Sequence, residues 1–420
     1  MITRPAQAGN YRALLTQGTF FKVGVQVSSI SAVIPYIADQ LGSPGVVVAL
    51  LAPAFTAGTM LGTVLGPKVL RLTDSVTGLL VGIALTQAAL TALVALDIAL
   101  APRWLFAYPL LLACLLIGTV TGSSQVVSPM AMSALLSAQE RGDIMLKQAG
   151  YSGALVVLIT AFTAGRLLPD SPRWHDADLL WISVAAMLVG ALCCARLRTP
   201  GVELAKGPAR MVDTLRQGRS QLLTNRWLRR FLVTNLVFVP VILTPTFYAI
   251  YAAEFLGASI NVDQFLVFVG VGLLAGIPLW RVVRRRLGAR GVYTCSALIS
   301  VAAAGLCIAA QQWQIVPALW AFGPAMLLSA VANQALLPAA YDWIFDHADP
   351  ADVAVLISCT HIVISLGMIV AGFALGLIAE GAPAVWPLAT MLALTVVAGV
   401  AAAQAPGSHR DSSHDTARSR

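Results

Sequence analysis

Twelve stretches of this chain run on for about 20 residues with almost no charge, the length a helix needs to cross the hydrocarbon of a bilayer. They lie at 13–38, 44–66, 77–100, 105–128, 144–168 and 177–196, and again at 231–255, 262–282, 292–312, 315–339, 355–379 and 384–403. Each run is continuously apolar and does not alternate in short segments, which favours helices over a β-barrel. Only 11% of the residues are charged and 58% are hydrophobic. A soluble domain carries roughly 25% charged residues, so this chain has too few polar groups to cover a water-facing surface. The fold class that follows is an all-α membrane protein with twelve transmembrane helices in two pseudo-symmetric six-helix bundles.

The basic residues orient those helices. With the N-terminus on the cytoplasmic side, 23 of the 27 Lys and Arg fall in inside segments, Arg103, Arg166 and Arg173 fall outside, and Lys22 lies within a span. That asymmetry predicts a multi-pass protein of the inner (plasma) membrane with both termini cytoplasmic. The segment from Arg196 to Arg230 carries nine of the basic residues. Anchoring at a cytoplasmic face, with anionic lipid nearby, accounts for it without a nucleic-acid partner. The expected organisation is a six-helix half over 1–196, a basic linker over 197–230, a second six-helix half over 231–404 and a disordered polar tail over 405–420.

The first dozen residues lack the short apolar core and small-residue cleavage site of a signal peptide, so the first span is expected to be retained. The six cysteines all fall inside apolar runs with no CxxC pair. They read as small buried hydrophobes. No metal site and no cofactor are expected. The loop "YDWIFDHADPAD" (341–352) holds four Asp and one His, without a ligand spacing that would define a metal centre.

The two halves echo one another in their loops. After the eighth run stands "RRRLGARG" (Arg284–Gly291), and after the second "GPKVLRLTDS" (Gly66–Ser75). The first of these resembles the Asp-Arg-x-Gly-x-Arg turn of the major facilitator superfamily, with Arg286, Gly288 and Arg290 in register and Arg285 where the acid would stand. The other copy keeps Gly66 and Arg71, with Leu70 in place of the acid and Thr73 in place of the second Gly. "SAQERGDIMLKQAGYSG" (Ser137–Gly153) is similar to that family's connection between spans four and five, and "LTNRWLRRFL" (Leu223–Leu232) to its approach to span seven. Span four has no Arg and span five no Pro, both usual in the family's proton-coupled drug exporters. The resemblance implies two six-helix halves that rock about a midplane site.

Lys22 is the foremost candidate. At 100° per residue, Thr19, Lys22, Gln26, Ser29, Val33 and Tyr36 share one side of span one. A charge at a helix centre costs roughly 2.5–3.5 kcal/mol on insertion scales, so this stripe is expected to face a cavity or a partner. The resemblance implies a cavity, because the first span of each half lines it in that family. Acids are scarce in the apolar runs, which favours a substrate anion, or a cycling proton, over a buried ion pair or a lysine snorkelling to the inner face.

Further substrate-binding candidates are Gln26, Ser29, Gln125, Tyr248, Tyr251 and Asn333, each polar on an otherwise apolar span. His361 and Glu254 join Lys22 as proton-coupling candidates, His361 because imidazole titrates near neutral pH. Asp143 precedes Lys147 by four residues, a spacing that predicts an ion pair along the start of span five. With Arg71, Arg286, Arg290 and Asp342 they form a set of loop and gating candidates, Asp342 as a partner for the arginine-rich turn.

No GxxxxGK[ST] loop is present, so ATP is not the expected driving force. The reading is a monomeric secondary transporter, not an enzyme, with a small amphipathic or anionic substrate and protons as coupling ion. Export is the first reading and uptake symport of an organic anion the alternative. A membrane-embedded enzyme or a non-transporting receptor on the same scaffold is the reading from another class.

Overall fold

The structure is a computed structural model. It describes residues 4–28, 45–73, 75–100, 107–166, 172–197, 210–244, 262–313, 318–381 and 385–404, together with Ile34, Ala38, Thr199, Leu204, Pro208 and Tyr248. The described residues are predominantly helical, with no strand among them. The helices are α1 (Arg4–Val27), α2 (Gly45–Val69), α3 (Val76–Leu100), α4 (Ala107–Leu135), α5 (Ala138–Arg166), α6 (Pro172–Cys194) and α7 (Met211–Thr224). They continue as α8 (Arg226–Val237), α9 (Val262–Trp313), α10 (Ala318–Gln334), α11 (Leu336–His347), α12 (Val353–Gly381) and α13 (Val385–Gln404).

Each of the twelve predicted runs overlaps a helix among the described residues. Runs eight and nine lie in the continuous α9, which is broken at Gly288 (φ 62°, ψ −162°). A positive φ is cheap only for glycine, so "LGAR" turns where the motif placed its turn. Run ten carries α10 and α11, separated at Ala335; Pro338 lacks the N–H that would bond back to Gln334 across that break. Run seven is interrupted at Phe238 and resumes over 239–244, beside Pro240. Among the described residues, nine helical stretches are long and apolar enough to cross a membrane, one of them the 44-residue double span of α9.

Local signals set the helix starts. Ser137 and Glu140 form a capping box ahead of α5: Glu140 Oε2 accepts from the Ser137 N–H at 3.0 Å, and the Glu140 N–H donates to Ser137 Oγ at 3.4 Å. Ser75 Oγ accepts the Gly78 N–H at 3.1 Å at the start of α3.

The chain divides into two compact units. One comprises Met1–Gln221 with Ala348–Ser365, the other Leu222–His347 with Leu366–Arg420. The boundary at 221/222 falls inside the basic linker, which contains the helix α7.

Within the first unit α2 packs on α4, α3 on α6, and α1 on both α5 and α6. The α2–α4 contact is a reciprocal glycine lock. A Cβ on Gly58 or Gly62 would overlap the α4 backbone at Leu115 and Thr119, and one on Gly118 or Gly122 would overlap the α2 backbone at Phe55 and Thr59. Ser123 Oγ then donates to the Gly62 carbonyl across the contact at 3.1 Å. In hydrocarbon, where lipid tails remove the hydrophobic drive between helices, close backbone approach of this kind holds spans together.

Within the second unit α9 packs on α10 and α13.

Candidate functional site

In the first unit the polar side chains of α1 meet α5. Contacts at Tyr11 and then at Leu14–Gly18 step forward along both helices, so the two run in the same direction here. Tyr11 Oη accepts from Lys147 Nζ at 2.8 Å and lies 3.5 Å from Asp143 Oδ2. Lys147 pairs with Asp143 at 2.7 Å, the i, i+4 contact their spacing predicts. One turn on, Gln148 Nε2 donates to the Leu14 carbonyl at 2.9 Å, fully buried. Gly18 makes room for it, since a Cβ there would overlap the Gln148 amide.

Lys22 is half-buried, and Nζ donates to the Met145 carbonyl at 3.4 Å. Among the described residues this is its polar contact; no carboxylate lies within ion-pair distance of it. Met145 lies near the N-terminal end of α5, between Asp143 and Lys147. The lysine therefore reaches back toward the N-terminal ends of α1 and α5, as a long side chain on a helix inclines to do.

The rest of the stripe is divided. Thr19 is buried with Oγ1 unpartnered among the described residues, and Gln26 is half-buried. Ser29, Tyr251 and Glu254 lie outside the described residues. Gln125 is half-buried on α4. The α1–α6 contact is polar too: Ser183 Oγ and Ser28 Oγ both donate to the Gly24 carbonyl, at 2.7 and 2.8 Å.

In the second unit Asn333, Gln334 and Trp280 have structural partners, while the buried Tyr248 hydroxyl has no hydrogen-bond partner among the described residues. Tyr248 is 0% exposed and packs among Ala303, Ala304, Cys307, Phe322, Ala325 and Met326, inside an apolar core. Asn333 Nδ2 donates to the Val241 and Ser329 carbonyls, both at 3.1 Å. Gln334 Nε2 donates to the Leu273 carbonyl at 2.8 Å, and Trp280 Nε1 to the Val331 carbonyl at 2.7 Å. His361, half-buried on α12, belongs to the first unit.

Among the loop candidates, Asp342 accepts from Nε of Arg284 at 2.9 Å and also from its Nη2. Arg71, Arg286 and Arg290 are exposed. Gly276, Trp280 and Arg284 recur every four residues on the stripe of α9 that meets Gln334, Val331 and Asp342. Arg286 is turned about 200° from Arg284, and Arg290 follows the break at Gly288. The motif thus pointed to the right turn, and helical phase selected a neighbouring arginine. Both members of the Arg284–Asp342 pair belong to the second unit, so the pair is formed within it.

Sequence reasoning did not single out Tyr11, Gln148, Arg284 or the glycine lock. The four-residue spacing of Gly58, Gly62 and Gly66 was the signal that could have found the last.

No family model matches the chain. An uncharacterized protein of Mycobacterium tuberculosis and one of Mycobacterium bovis are each 32% identical to it over 401 residues, covering 94% of this chain and 76% of their own length. The fold is similar to that of the Escherichia coli proton:xylose symporter XylE, with TM-score 0.66 and 14% identity over 94% of this chain and 95% of that one. It is also similar to the human organic anion transporter TETRAN, with TM-score 0.64 and 15% identity over 94% and 99% of the two chains. The Escherichia coli fucose:proton symporter aligns with TM-score 0.64 and 14% identity over 94% and 98%. The chain belongs to one family with the mycobacterial proteins, and its fold is that of the major facilitator superfamily.

Proposed function

We propose that this protein is a secondary active transporter that moves a small amphipathic or anionic molecule across the membrane by alternating access. In this reading the segments 1–196 and 231–404 act as the six-helix halves, joined by the basic linker 197–230, and the inner membrane with both termini cytoplasmic is their setting. The observation that carries the reading is Lys22. Its half-buried ammonium, on the polar stripe of α1, has a single long bond to a backbone carbonyl among the described residues. Keeping a cation in a membrane span at that cost, without a carboxylate to neutralise it, is what an anion-attracting or proton-cycling site requires.

Lys22, Gln26 and Gln125 are the substrate-facing residues of the first unit in this reading, with Ser29 continuing the α1 stripe. Asn333 and Tyr248 do structural work, and we leave them out of the substrate set. Export driven by protons is the direction first inferred. Uptake symport is the second reading, favoured by the likeness to two proton symporters and an organic anion transporter.

The test is transport in proteoliposomes under an imposed pH gradient, comparing the natural protein with Lys22→Ala and Lys22→Arg. Loss in both variants is expected if the lysine cycles a proton, and retention in Lys22→Arg alone if it is a fixed charge. Unaltered transport in both removes Lys22 from the mechanism. The sign of the pH gradient that drives substrate flux decides between export and uptake.

A further inference from the structure

The basic linker contains an ordered helix, α7, whose rotation about its own axis is fixed. Gln217 Nε2 and Gln221 Nε2 donate to the two carboxylate oxygens of Asp352, each at 2.7 Å. Between them Gly218 is buried so tightly that a Cβ would overlap Cys359 Sγ. Thr214 completes the docked face. At 100° per residue these four positions span one side of the helix.

The opposite side carries Val212, Leu215, Arg216, Arg219 and Leu223, all within about 60° of one line along the helix. They are exposed, with Val212 at 70%, Leu215 at 42% and Leu223 at 62%. Among the described residues neither Arg216 nor Arg219 forms an ion pair. Large aliphatic groups interleaved with arginines, on a face turned away from the protein, fit neither a water-facing surface nor a hydrocarbon-facing one. They fit the boundary between the two, where aliphatic chains dip among acyl chains and guanidinium groups meet phosphates.

Chain connectivity places α7 at that boundary. Asn225 alone separates it from α8, and the apolar part of α8 begins at Phe231. Seven residues of helix rise only about 10 Å, so the end of α7 lies within headgroup reach of a span. Arg226, Arg229 and Arg230, also exposed, extend the cationic surface.

We propose that α7 is an interfacial helix that binds the anionic phospholipid headgroups of the leaflet beside it, with Arg216 and Arg219 on phosphate and Val212, Leu215 and Leu223 inserted. The Asp352 clamp sets the rotation that turns this face to the lipid. The inference rests on the reading of the chain as membrane-spanning and is independent of what it transports.

Hydrogen exchange of the full chain tests it, in nanodiscs of phosphatidylcholine alone and of phosphatidylcholine with phosphatidylglycerol. Amides of 211–224 are expected to exchange at least tenfold more slowly in the anionic discs. Arg216→Gln with Arg219→Gln should erase on the order of thirtyfold of protection there, the combined effect of two arginines at an anionic leaflet. Val212→Ser with Leu215→Ser should weaken protection in both lipids. The α2–α4 amides report that each variant is folded. Equal exchange of α7 in the two lipids, whether fast as for a water-facing helix or slow as for one covered by protein, overturns the proposal.

Discussion

Asn333 Nδ2 donates to the carbonyl of Val241, the one carbonyl of that turn whose natural i+4 donor is missing, because residue 245 is proline. The next residue, about 100° further round α10, turns to a different helix: Gln334 donates to the Leu273 carbonyl of α9. Of these two adjacent amides, Asn333 meets a proline-freed carbonyl, while Gln334 ties α10 to α9 at a carbonyl whose own i+4 residue is Ile277. In a medium without water, a freed carbonyl must find such a donor.

Replacing Asn333 by Leu keeps the branched shape and removes the donor. We expect a loss of about 0.6–1.7 kcal/mol, the range for interhelical hydrogen bonds in membrane proteins, read as a lower Tm in detergent. Asn333→Gln should not restore it, because the longer side chain misplaces the amide. A Tm equal to that of the natural protein would show that Val241 finds another donor.

The Arg284–Asp342 pair is partly buried. Asp342→Asn leaves the guanidinium without its counter-charge, at a cost of about 1–3 kcal/mol. Arg284→Lys should cost a comparable amount, since an ammonium cannot offer both Nε and Nη2 to one carboxylate oxygen. Arg286→Ala and Arg290→Ala, on exposed side chains, should change Tm by less than about 0.5 kcal/mol equivalent. Equal effects of all four would return the gate role to the motif residues.

The α2–α4 lock predicts a sharp contrast between glycines. Gly62→Ala and Gly118→Ala force two backbones apart and should cost about 1–3 kcal/mol or more, seen as loss of monodisperse protein after purification. Gly82→Ala, on an exposed helical face with nothing within 4 Å of the added Cβ, should gain about 0.5–1 kcal/mol. Tolerance of alanine at both lock positions would mean the helices can separate freely.

Lys22 separates stability from activity. Lys22→Met removes a charge from a span while keeping the length of the stem, so Tm should hold or rise. Transport in proteoliposomes should be lost. A fall in Tm by several degrees with transport intact would make Lys22 a structural residue held by Met145.

How far the sequence reached can be told residue by residue. The glycine of "RRRLGARG" announced the break at Gly288, and the spacing of Asp143 and Lys147 announced their pair, because turn and i, i+4 contacts are local. The identity of the arginine that meets Asp342 was not local. It depended on which stripe of α9 faces α10 and α11, and that is set by Gly276 and Trp280 packing on partners more than fifty residues away.

The sequence by itself determined that the chain spans a membrane many times, where its helices begin and break, and that Lys22 interrupts an apolar helix. Those follow from hydropathy, proline and glycine, which act over a single turn or a single span. Tertiary structure decided what the polar side chains do there. With no water in the hydrocarbon, a buried donor such as the Asn333 amide takes a carbonyl that packing supplies. So Asn333 went to a proline-freed carbonyl, Tyr248 into an apolar core, and Lys22 back along α1 to the carbonyl of Met145.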